Sequence, residues 1–253
     1  MQIPLSASLI TFNEADRIES AIRSLDFCDE IVVVDSGSSD DTVARAQALG
    51  ARVLIRPFDG YRTQKNFAVQ ACRHDWVLCL DADERVDAEL AAAIARERAA
   101  GFARAPAYSM ARRLHYLGAV LNYGEAYPDT VERLFDRRRA RWGGREIHEK
   151  VLADGPMVRL AGHLDHYSFR SWSGEIAKLE RYAERWADAV VAEGRRGGAL
   201  PIVLNPMWRF FRGYVLKRGF ADGWRGLLFA WTRAVYARQK YIKLWLKSRG
   251  HPS

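Results

Sequence analysis

The chain has 253 residues, of which 49% are hydrophobic and 28% are charged. This composition is typical of a globular protein and excludes a disordered or fibrous chain. The length suits one large domain or a domain with an appendage. The cysteines Cys28, Cys72 and Cys79 lack metal-ligand spacing, so we expect reduced packing residues. The start of the chain shows no secretory signal, and no apolar run approaches the roughly 20 residues of a membrane-spanning helix, so a cytosolic protein is expected.

The charge is unevenly distributed along the chain. Residues 195–250 contain 13 Lys and Arg against one acid, Asp222, whereas the net charge of the whole chain is only +8. A mildly acidic front is therefore joined to a strongly basic tail, which indicates an anionic surface as a partner of the tail.

Strand and helix patterns alternate through the first hundred residues. Apolar, β-branched runs predict strands at 5–12, 30–35, 52–55 and 76–80. Helical periodicity predicts helices after Asn13, which we interpret as an N-cap, and at 42–49, 61–71 and 88–100. This alternation predicts an α/β fold with a doubly wound, mostly parallel sheet.

The fourth predicted strand ends in two carboxylates, Asp81 and Asp83, spaced i, i+2. In extended backbone both point to the same side, at the edge of the sheet where α/β proteins bind ligands. Close carboxylates repel unless a cation lies between them, and oxygen ligands suit Mg²⁺ or Mn²⁺. Taken alone, the pair is equally consistent with a solvated acidic turn that opens the next helix.

Two further polar clusters have the same phase relative to the strands. Glu14 follows the first predicted strand and Asp35 ends the second. The carboxyl ends of parallel strands share one edge, so this convergence favours a ligand site. The dinucleotide, P-loop and nucleophile-elbow motifs are absent from the sequence, which argues against those classes of enzyme.

The segments SLITFNE (8–14), VVVDSGSSDDT (32–42), RTQKN (62–66) and LCLDADE (78–84) resemble glycosyltransferase family 2. This resemblance implies a GT-A fold and inverting transfer from a nucleotide sugar. The shorter segments YPD (127–129), RLF (133–135), IHEKV (147–151) and HYS (166–168) resemble the bacterial branch of lipopolysaccharide core β-1,4-glucosyltransferase-like proteins.

The resemblance also implies roles for individual residues. The positions bordering the nucleotide base and ribose are Thr11, Phe12 and Glu14, and Asp35 matches the acid that binds the base. Lys65 occupies the place of a basic residue near the pyrophosphate, where the family commonly has Arg. Asp81 matches the acid near ribose and metal, and Asp83 matches the direct ligand of Mg²⁺ or Mn²⁺. A divalent ion neutralises the developing charge of a diphosphate leaving group.

The acceptor side is expected at residues 101–170, with strands at 108–117 and 130–135 and a long loop at 118–129. An inverting transferase needs a carboxylate that takes the proton of the acceptor hydroxyl. The candidates are Glu149 and Asp129, with Glu149 favoured by its place in the chain, unless it only pairs with Arg145 or Lys150. His166 is either an additional metal ligand, as in some GT-A enzymes, or a buried hydrogen-bonding histidine.

The tail combines basic residues with Trp, Phe and Tyr on helices predicted at 173–191, 201–219 and 222–247. This pattern is typical of an interfacial, non-spanning membrane helix. Single-stranded nucleic acid is the competing partner, and we rank it low because no nucleic-acid motif occurs. A third interpretation is that some of the aromatic residues only pack the helices. We expect a catalytic domain at 1–170 and a helical, basic, membrane-interface region at 171–253.

The leading hypothesis is a metal-dependent inverting glycosyltransferase. It moves a hexose, with glucose from UDP-glucose as the expected donor, onto a lipopolysaccharide core or similar lipid-linked oligosaccharide. It is expected to associate peripherally with the inner face of the cytoplasmic membrane, without nucleic acid as a partner. The alternatives are transfer to a polyprenyl phosphate, and a non-catalytic membrane or nucleic-acid binding module that keeps a degenerate nucleotide site.

Overall fold

The computed structural model describes residues 2–145 and 148–252, so Glu146 and Ile147, just before the candidate base Glu149, lie outside the described residues. The chain forms two compact units, one of Met1–Arg112 with Asp129–His166, the other of Arg113–Pro128 with Tyr167–Ser253. The second unit thus begins before residue 171 and includes most of the predicted acceptor loop.

The first unit is built around a sheet that begins as strand–helix alternation. The alternating part consists of β1 (Leu5–Thr11), α1 (Ile18–Arg23), β2 (Glu30–Asp35), α2 (Thr42–Ala48), β3 (Arg52–Ile55), α3 (Tyr61–Ala71) and β4 (Trp76–Asp81). It is followed by β5 (Glu84–Val86), α4 (Ala88–Ala99) and β6 (Ala107–Tyr116), whose end lies in the second unit and pairs there with the short β7 (Ala119–Val120). The first unit then continues with β8 (Asp129–Asp136), β9 (Ala140–Arg145), β10 (His148–Ala153) and β11 (Met157–His166).

The strand order is β3-β2-β1-β4-β8-β6-β11-β5, and β9 and β10 form a separate antiparallel pair. Strands β1 to β4 are parallel, whereas β8 joins β4, and β6 joins β8, in antiparallel register. The α/β architecture predicted from the sequence is confirmed. Its parallel part comprises the first four strands, and the complete sheet is mixed.

Apolar side chains cover both faces of this sheet. One buried cluster joins Leu5 and Leu9 of β1 to Ile22 of α1 and Ile94 of α4. The other joins the opposite face of β2 and β4 to α3 and to the β9–β10 pair, with Trp142 among its members. Burial on both faces explains why these strands are continuously apolar, and it leaves the strand ends as the place for polar chemistry.

The prediction that Asn13 caps the first helix is wrong. Helix α1 begins at Ile18, with Arg17 before it. Asn13 instead adopts a positive φ of 54°, and its side-chain oxygen accepts a hydrogen bond of 2.9 Å from the amide of Ser39. Asn tolerates this left-handed conformation better than most residues, and its side chain serves the loop rather than the helix.

The cysteines are free thiols, as the sequence predicted. Cys72 and Cys79 are buried among apolar residues. Burial raises the pKa of the Cys72 thiol to about 12, so this group stays protonated and is unreactive at neutral pH.

The second unit is mainly helical. It contains α5 (Trp172–Ala192), α6 (Ala199–Phe211), a π-helical segment Arg212–Leu216, a 3₁₀ segment Gly219–Asp222, and α7 (Gly223–Lys247). Lys243 of α7 lies 2.7 Å from Glu180 and 2.6 Å from Glu184 of α5. These ion pairs join α5 to α7 along one side.

The helix predicted at 201–219 is present, but it is π-helical from Arg212 to its end at Leu216, and the chain then reverses before α7. Glycines make this reversal possible. A Cβ at Gly219 would lie 2.7 Å from the carbonyl oxygen of Gly213, and a Cβ at Gly226 would lie 1.9 Å from the carbonyl oxygen of Gly219. Such approaches exclude any side chain.

Candidate functional site

The parallel register brings the predicted acidic residues to one edge of the sheet. Strand β1 lies between β2 and β4, with Thr11 opposite Asp35 of β2 and Ile10 opposite Asp81 of β4. The two carboxylates therefore flank the end of β1 at nearly the same level. This is the carboxyl edge, where the sequence predicted that the acids converge.

The loop after β2 is organised by the carboxylate of Asp35, which is fully buried. It accepts hydrogen bonds from the amides of Gly37 (2.9 Å) and Ser38 (2.7 Å), and also from the Ser38 hydroxyl. The backbone amide of Asn13 donates a 2.8 Å hydrogen bond to the Ser38 hydroxyl and so connects the loops after β1 and β2. A carboxylate has about four acceptor positions, and Asp35 uses three of them within its own loop.

The end of β1 presents three of the predicted nucleotide-binding residues. Phe12 is 57% exposed, which leaves its ring available to stack on a base, and Glu14 is half-buried. The Thr11 hydroxyl is buried and has no hydrogen-bond partner among the described residues. A buried hydroxyl without a partner is rare because leaving it unpaired costs free energy. Its position at the strand end points to a partner supplied by a ligand.

Asp81 lies between two buried cations. Its carboxylate oxygens lie 3.1 Å from Lys65 Nζ of α3 and 2.8 Å from Arg133 of β8. Burial alone would raise the pKa of Asp81, but the charges of Lys65 and Arg133 outweigh burial and place it well below the ordinary value of 3.8. Asp81 is therefore ionised at neutral pH.

A chain of alternating charges continues from Asp81 towards β6. The fully buried carboxylate of Glu84 lies 2.7 Å from Arg133 and 3.0 Å from Arg112. Arg112 also lies 2.7 Å from Asp129. Burial alone would lower the pKa of Arg133, but Glu84 and Asp81 raise it above its ordinary value. Each of these buried charges is thus compensated by a neighbour of opposite sign.

The two candidate bases occupy different places in this network. Glu149 of β10 lies 2.9 Å from Lys65 Nζ, so Glu149 and Asp81 share one cation. Of the alternative partners, the side chain of Arg145 lies outside the described part of the structure, and Lys150 is exposed. Asp129 is linked to Asp81 through Arg112, Glu84 and Arg133. Glu149 is therefore the candidate that lies beside the predicted donor site.

The indole of Trp142 underlies the same cations. Lys65 Nζ is 4.7 Å from its ring centroid, and the guanidinium of Arg133 is 5.6 Å away. Trp142 is only 3% exposed, so it supports the cations rather than offering a platform for a sugar. A small cavity of about 10 Å³ lies here and is lined by Ser8, Ile10, Lys65, Asp81, Arg133 and Trp142, among others. This volume is about that of one water molecule.

Asp83 lies next to the predicted additional ligand, His166. His166 Nε2 of β11 is 3.3 Å from the Asp83 carboxylate, and Arg17 is 3.9 Å from it. Within residues 2–145 and 148–252 no group of three or more His, Cys, Asp or Glu side chains could hold a metal. Mg²⁺ commonly uses one or two protein ligands together with water and substrate phosphates. Asp83 and His166 fit such a shared site, whereas the oxygens of Asp81 already face Lys65 and Arg133.

The segment predicted as the acceptor loop is anchored within the second unit. The carboxylate of Asp222 accepts hydrogen bonds from the amides of Asn122 (3.1 Å) and Tyr123 (3.0 Å). The carboxylate of Glu125 lies 2.6 Å from Arg209 of α6. Among the described residues, no helix combines the length and apolar character needed to cross a bilayer.

The sequence reasoning did not identify Arg133, Glu84 or Arg112 as parts of this network. One feature of the sequence pointed to Arg133. It alternates with Val131 and Phe135, so in a strand its side chain lies on the same face as theirs. A basic residue on the apolar face of a strand needs a buried partner. The identity of that partner depends on how β4, β5 and β8 assemble.

The chain is similar to known proteins over most of its length. The family model described as "Glycosyl transferase family 2" matches residues 6–152. The lipopolysaccharide core biosynthesis glycosyltransferase LpsC of Rhizobium meliloti is 32% identical over 248 residues, which cover 93% of this chain and 90% of that protein. An uncharacterized glycosyltransferase of Rickettsia bellii is 32% identical over 251 residues, or 95% and 84% of the two chains. A solved structure of glucosyl-3-phosphoglycerate synthase from Mycobacterium tuberculosis, in complex with Mn²⁺, uridine diphosphate and glucosyl-3-phosphoglycerate, is 24% identical over 54% of this chain and 57% of that one, with a TM-score of 0.40.

Proposed function

Because this chain belongs to glycosyltransferase family 2, we propose that it is an inverting enzyme that transfers a hexose from a nucleotide sugar. The observation that carries the proposal is the register of β1 with its neighbours, which places Asp35 and Asp81 on either side of Thr11 and Ile10. The mixed sheet with flanking helices agrees with the GT-A fold that the family implies.

The nucleoside is assigned to the ends of β1 and β2. Phe12 offers an exposed ring for stacking, and Asp35 has one acceptor position left for the base. The unpartnered hydroxyl of Thr11 would gain a hydrogen bond from the bound nucleoside. Glu14 is assigned to the ribose side, where the family places it. Binding at these groups would fix the donor before its sugar is transferred.

The diphosphate is assigned to the Lys65 side of Asp81. The ammonium of Lys65 is held by two carboxylates, and Arg133 lies on the other side of Asp81. Asp83 and His166 would bind a divalent cation, Mg²⁺ or Mn²⁺, which when present neutralises charge on the departing diphosphate. In this proposal the main role of Asp81 is to hold Lys65 and Arg133 in place beside the leaving group.

Glu149 is proposed as the general base, with Asp129 as the second candidate. The acceptor hydroxyl oxygen forms a bond to the anomeric carbon while its proton passes to the Glu149 carboxylate. The bond from that carbon to the diphosphate oxygen breaks on the opposite face, and the electron pair leaves with the diphosphate. Attack from the opposite face inverts the configuration. The contact between Glu149 and Lys65 supports this assignment because Lys65 also contacts Asp81.

We propose UDP-glucose as the donor and the core oligosaccharide of lipopolysaccharide, or a similar lipid-linked saccharide, as the acceptor. The similarity to LpsC over 93% of the chain supports this acceptor class. A lipid-linked acceptor would be met at the inner face of the cytoplasmic membrane, where we propose peripheral association. The basic, aromatic second unit supports such a location.

The test is release of nucleoside diphosphate from a panel of nucleotide sugars with Mg²⁺ or Mn²⁺. Core oligosaccharide on lipid A and polyprenyl phosphate are the two acceptors compared. We expect release from UDP-glucose with the core acceptor, and its loss in Asp83→Ala. Asp154→Ala removes an exposed acid that pairs with Arg139 away from the site and is the matched control. Background release with every donor and acceptor would refute the proposal, and turnover with polyprenyl phosphate alone would reassign the acceptor.

A second measurement separates binding from turnover. A ligand that binds only the folded state raises Tm by mass action. UDP-glucose with metal should therefore raise the Tm of the wild-type protein, and this shift should shrink in Asp83→Ala. An equal shift in both proteins would contradict the assignment of Asp83.

A further inference from the structure

Helix α6 in the second unit presents an apolar stripe without a partner. None of its described residues is buried. The stripe recurs at i, i+3, i+4, i+7, i+8 and i+11, and consists of Leu200, Val203, Leu204, Met207, Trp208 and Phe211, which are 46–67% exposed. A helix whose apolar face meets the solvent indicates a binding partner for that face.

A second exposed stripe follows in the reversal and the start of α7. Its members are Val215, Leu216, Phe220, Trp224, Leu227 and Trp231, which are 42–58% exposed. Phe210 and Tyr214, which belong to neither stripe, contact rings of the second. The ring centroid of Phe210 in α6 lies 6.2 Å from that of Trp231 in α7 and 5.3 Å from that of Tyr214. The ring centroid of Tyr214 lies 6.3 Å from that of Phe220. We call the residues of both stripes the apolar surface.

The size of the apolar surface exceeds what a monomer commonly exposes. Its five aromatic residues alone, each about half exposed, present roughly 500 Å² if a full side chain buries about 200 Å². That area already reaches the range of the largest apolar patch on a typical soluble monomer. The aliphatic members of the surface add to it.

The charge around the apolar surface is positive. Residues 199–233 contain six Lys and Arg and one acid, Asp222. Glu125 and Glu175 of the same unit pair with Arg209, Arg212 and Arg233, so the cations still outnumber these acids six to three. The carboxylate of Asp222 is engaged by two backbone amides. Lys217 and Arg218 are exposed in the reversal between the two stripes. This charge favours an anionic partner and disfavours a second copy, whose same surface would also be positive.

We infer that the apolar surface lies in the interface of an anionic lipid bilayer, with α6 parallel to the membrane plane. Leu, Val and Met beside Trp and Phe suit the boundary between acyl chains and headgroups, while Lys217 and Arg218 meet the headgroup charge. The aliphatic side chains offer no stacking platform for nucleic-acid bases. Helix α6 has 13 residues and contains Pro206, and 13 residues extend only about 20 Å, too short to cross a bilayer.

This inference deepens the proposed function, since a membrane-bound enzyme reaches a lipid-linked acceptor. It can nevertheless be tested without donor, acceptor or metal. The full chain is sedimented with vesicles of phosphatidylglycerol and phosphatidylethanolamine, and separately with vesicles of phosphatidylcholine alone. We expect binding to the anionic vesicles that weakens as the salt concentration rises.

Two variants test the apolar surface. The first variant combines Leu204→Gln, Met207→Gln and Trp208→Gln. We expect its partitioning onto anionic vesicles to fall by about tenfold or more. The control combines Phe58→Gln, Met157→Gln and Trp172→Gln, three residues outside the surface that are 39–46% exposed. It should bind as the wild type does. Circular dichroism and the Tm without added ligand confirm that both variants fold.

A charge variant separates headgroup attraction from burial of apolar side chains. Lys217→Gln with Arg218→Gln should weaken binding to anionic vesicles and flatten its salt dependence. The inference would be overturned if the variant of Leu204, Met207 and Trp208 bound anionic vesicles as strongly as the wild-type protein does. It would also be overturned if wild-type protein ignored anionic vesicles and formed a dimer that this variant abolished. Loss of transfer activity with intact vesicle binding would instead count against the proposed function alone.

Discussion

Lys65 of α3 and Glu149 of β10 form an ion pair of 2.9 Å although they lie 84 residues apart in the chain. The same ammonium lies 3.1 Å from Asp81, so a single cation joins Asp81 to the candidate base. Without the Lys65 ammonium, the negative charges of Asp81 and Glu149 would be left uncompensated by it and would repel each other. Lys65 thus has a structural effect and a functional one, and a substitution should reveal both.

We expect Lys65→Met to lower the free energy of unfolding by about 2 kcal/mol, less than for a fully buried pair because both carboxylates are partly exposed. UDP-glucose affinity should fall as well. Lys150→Met, which removes an exposed lysine of the same strand as Glu149, should change stability by no more than about 0.5 kcal/mol. Urea unfolding and calorimetric titration measure the two effects. Equal unfolding energies for both variants would contradict the bridging role.

Arg133→Met should destabilise the fold more strongly. It removes one of the two described cations beside the fully buried Glu84 and one of the two beside Asp81. Removing one partner of a buried pair costs about 3–5 kcal/mol. Arg141→Met on the exposed side of β9 is the control. Thermal and urea denaturation should show a large loss only for Arg133, and a small loss there would mean that the network is dispensable.

Thr11→Val should separate binding from stability. The hydroxyl that it removes is buried without a partner among the described residues, so stability should stay constant or rise by about 1 kcal/mol. Affinity for UDP-glucose should fall about tenfold, as for the loss of one hydrogen bond. In contrast, Thr42→Val should destabilise, because the Thr42 hydroxyl contacts Asp40 and accepts a 2.8 Å bond from the Glu14 amide. If Thr11→Val destabilised as much as Thr42→Val, the unpartnered hydroxyl would be misassigned.

The acid stability of the protein should depend on Asp81. Burial opposes ionisation of this group, but Lys65 and Arg133 depress its folded-state pKa below the ordinary 3.8. The stabilisation is therefore fully present above the unfolded pKa and is lost as the pH falls through 3.8 towards the folded pKa. Urea midpoints between pH 7 and pH 3 should fall less steeply for Asp81→Asn than for the wild type. Asp154→Asn, in an exposed pair with Arg139, should keep the wild-type slope, and an unchanged slope in Asp81→Asn would contradict the ion-pair assignment.

The two candidate bases can be compared by amide substitutions. Glu149→Gln keeps an oxygen for Lys65 but cannot take a proton, so kcat should fall by about 10²–10⁴. The KM for UDP-glucose should change little if binding is preserved. Asp129→Asn should have the smaller effect because Asp129 contacts Arg112, away from Lys65. A larger loss in Asp129→Asn would transfer the role of base to that residue.

Local patterns predicted the parallel half of the fold closely. Helix α3 and strand β2 have the predicted bounds, because a buried apolar run or an apolar stripe decides each element locally. Asn13 shows the limit of such rules. Its side chain could cap a helix or bind a neighbouring loop, and the loop after β2, which the local rule ignores, decides the outcome.

The candidate site could be predicted only in part for the same reason. The acids at strand ends followed from the alternation of strands and helices, since parallel strands share an edge. The partners of Asp81 did not follow, because Lys65 and Arg133 come from a helix and a strand that meet only in the assembled fold. Antiparallel addition of β8 to β4 brings Arg133 to the site, and no local pattern encodes that pairing.

The glycine reversal between α6 and α7 limits which sequences this fold can accept. The carbonyl of Gly213 occupies the space of a methyl group on Gly219, and the carbonyl of Gly219 that of a methyl group on Gly226. In a library of all single substitutions, even alanine should be depleted at Gly219 and Gly226, whereas Leu204 and Met207 should accept many apolar residues. The juxtaposition of the two exposed stripes thus depends on absent methyl groups, and drift at these two glycines would divide the apolar surface without changing any residue within it.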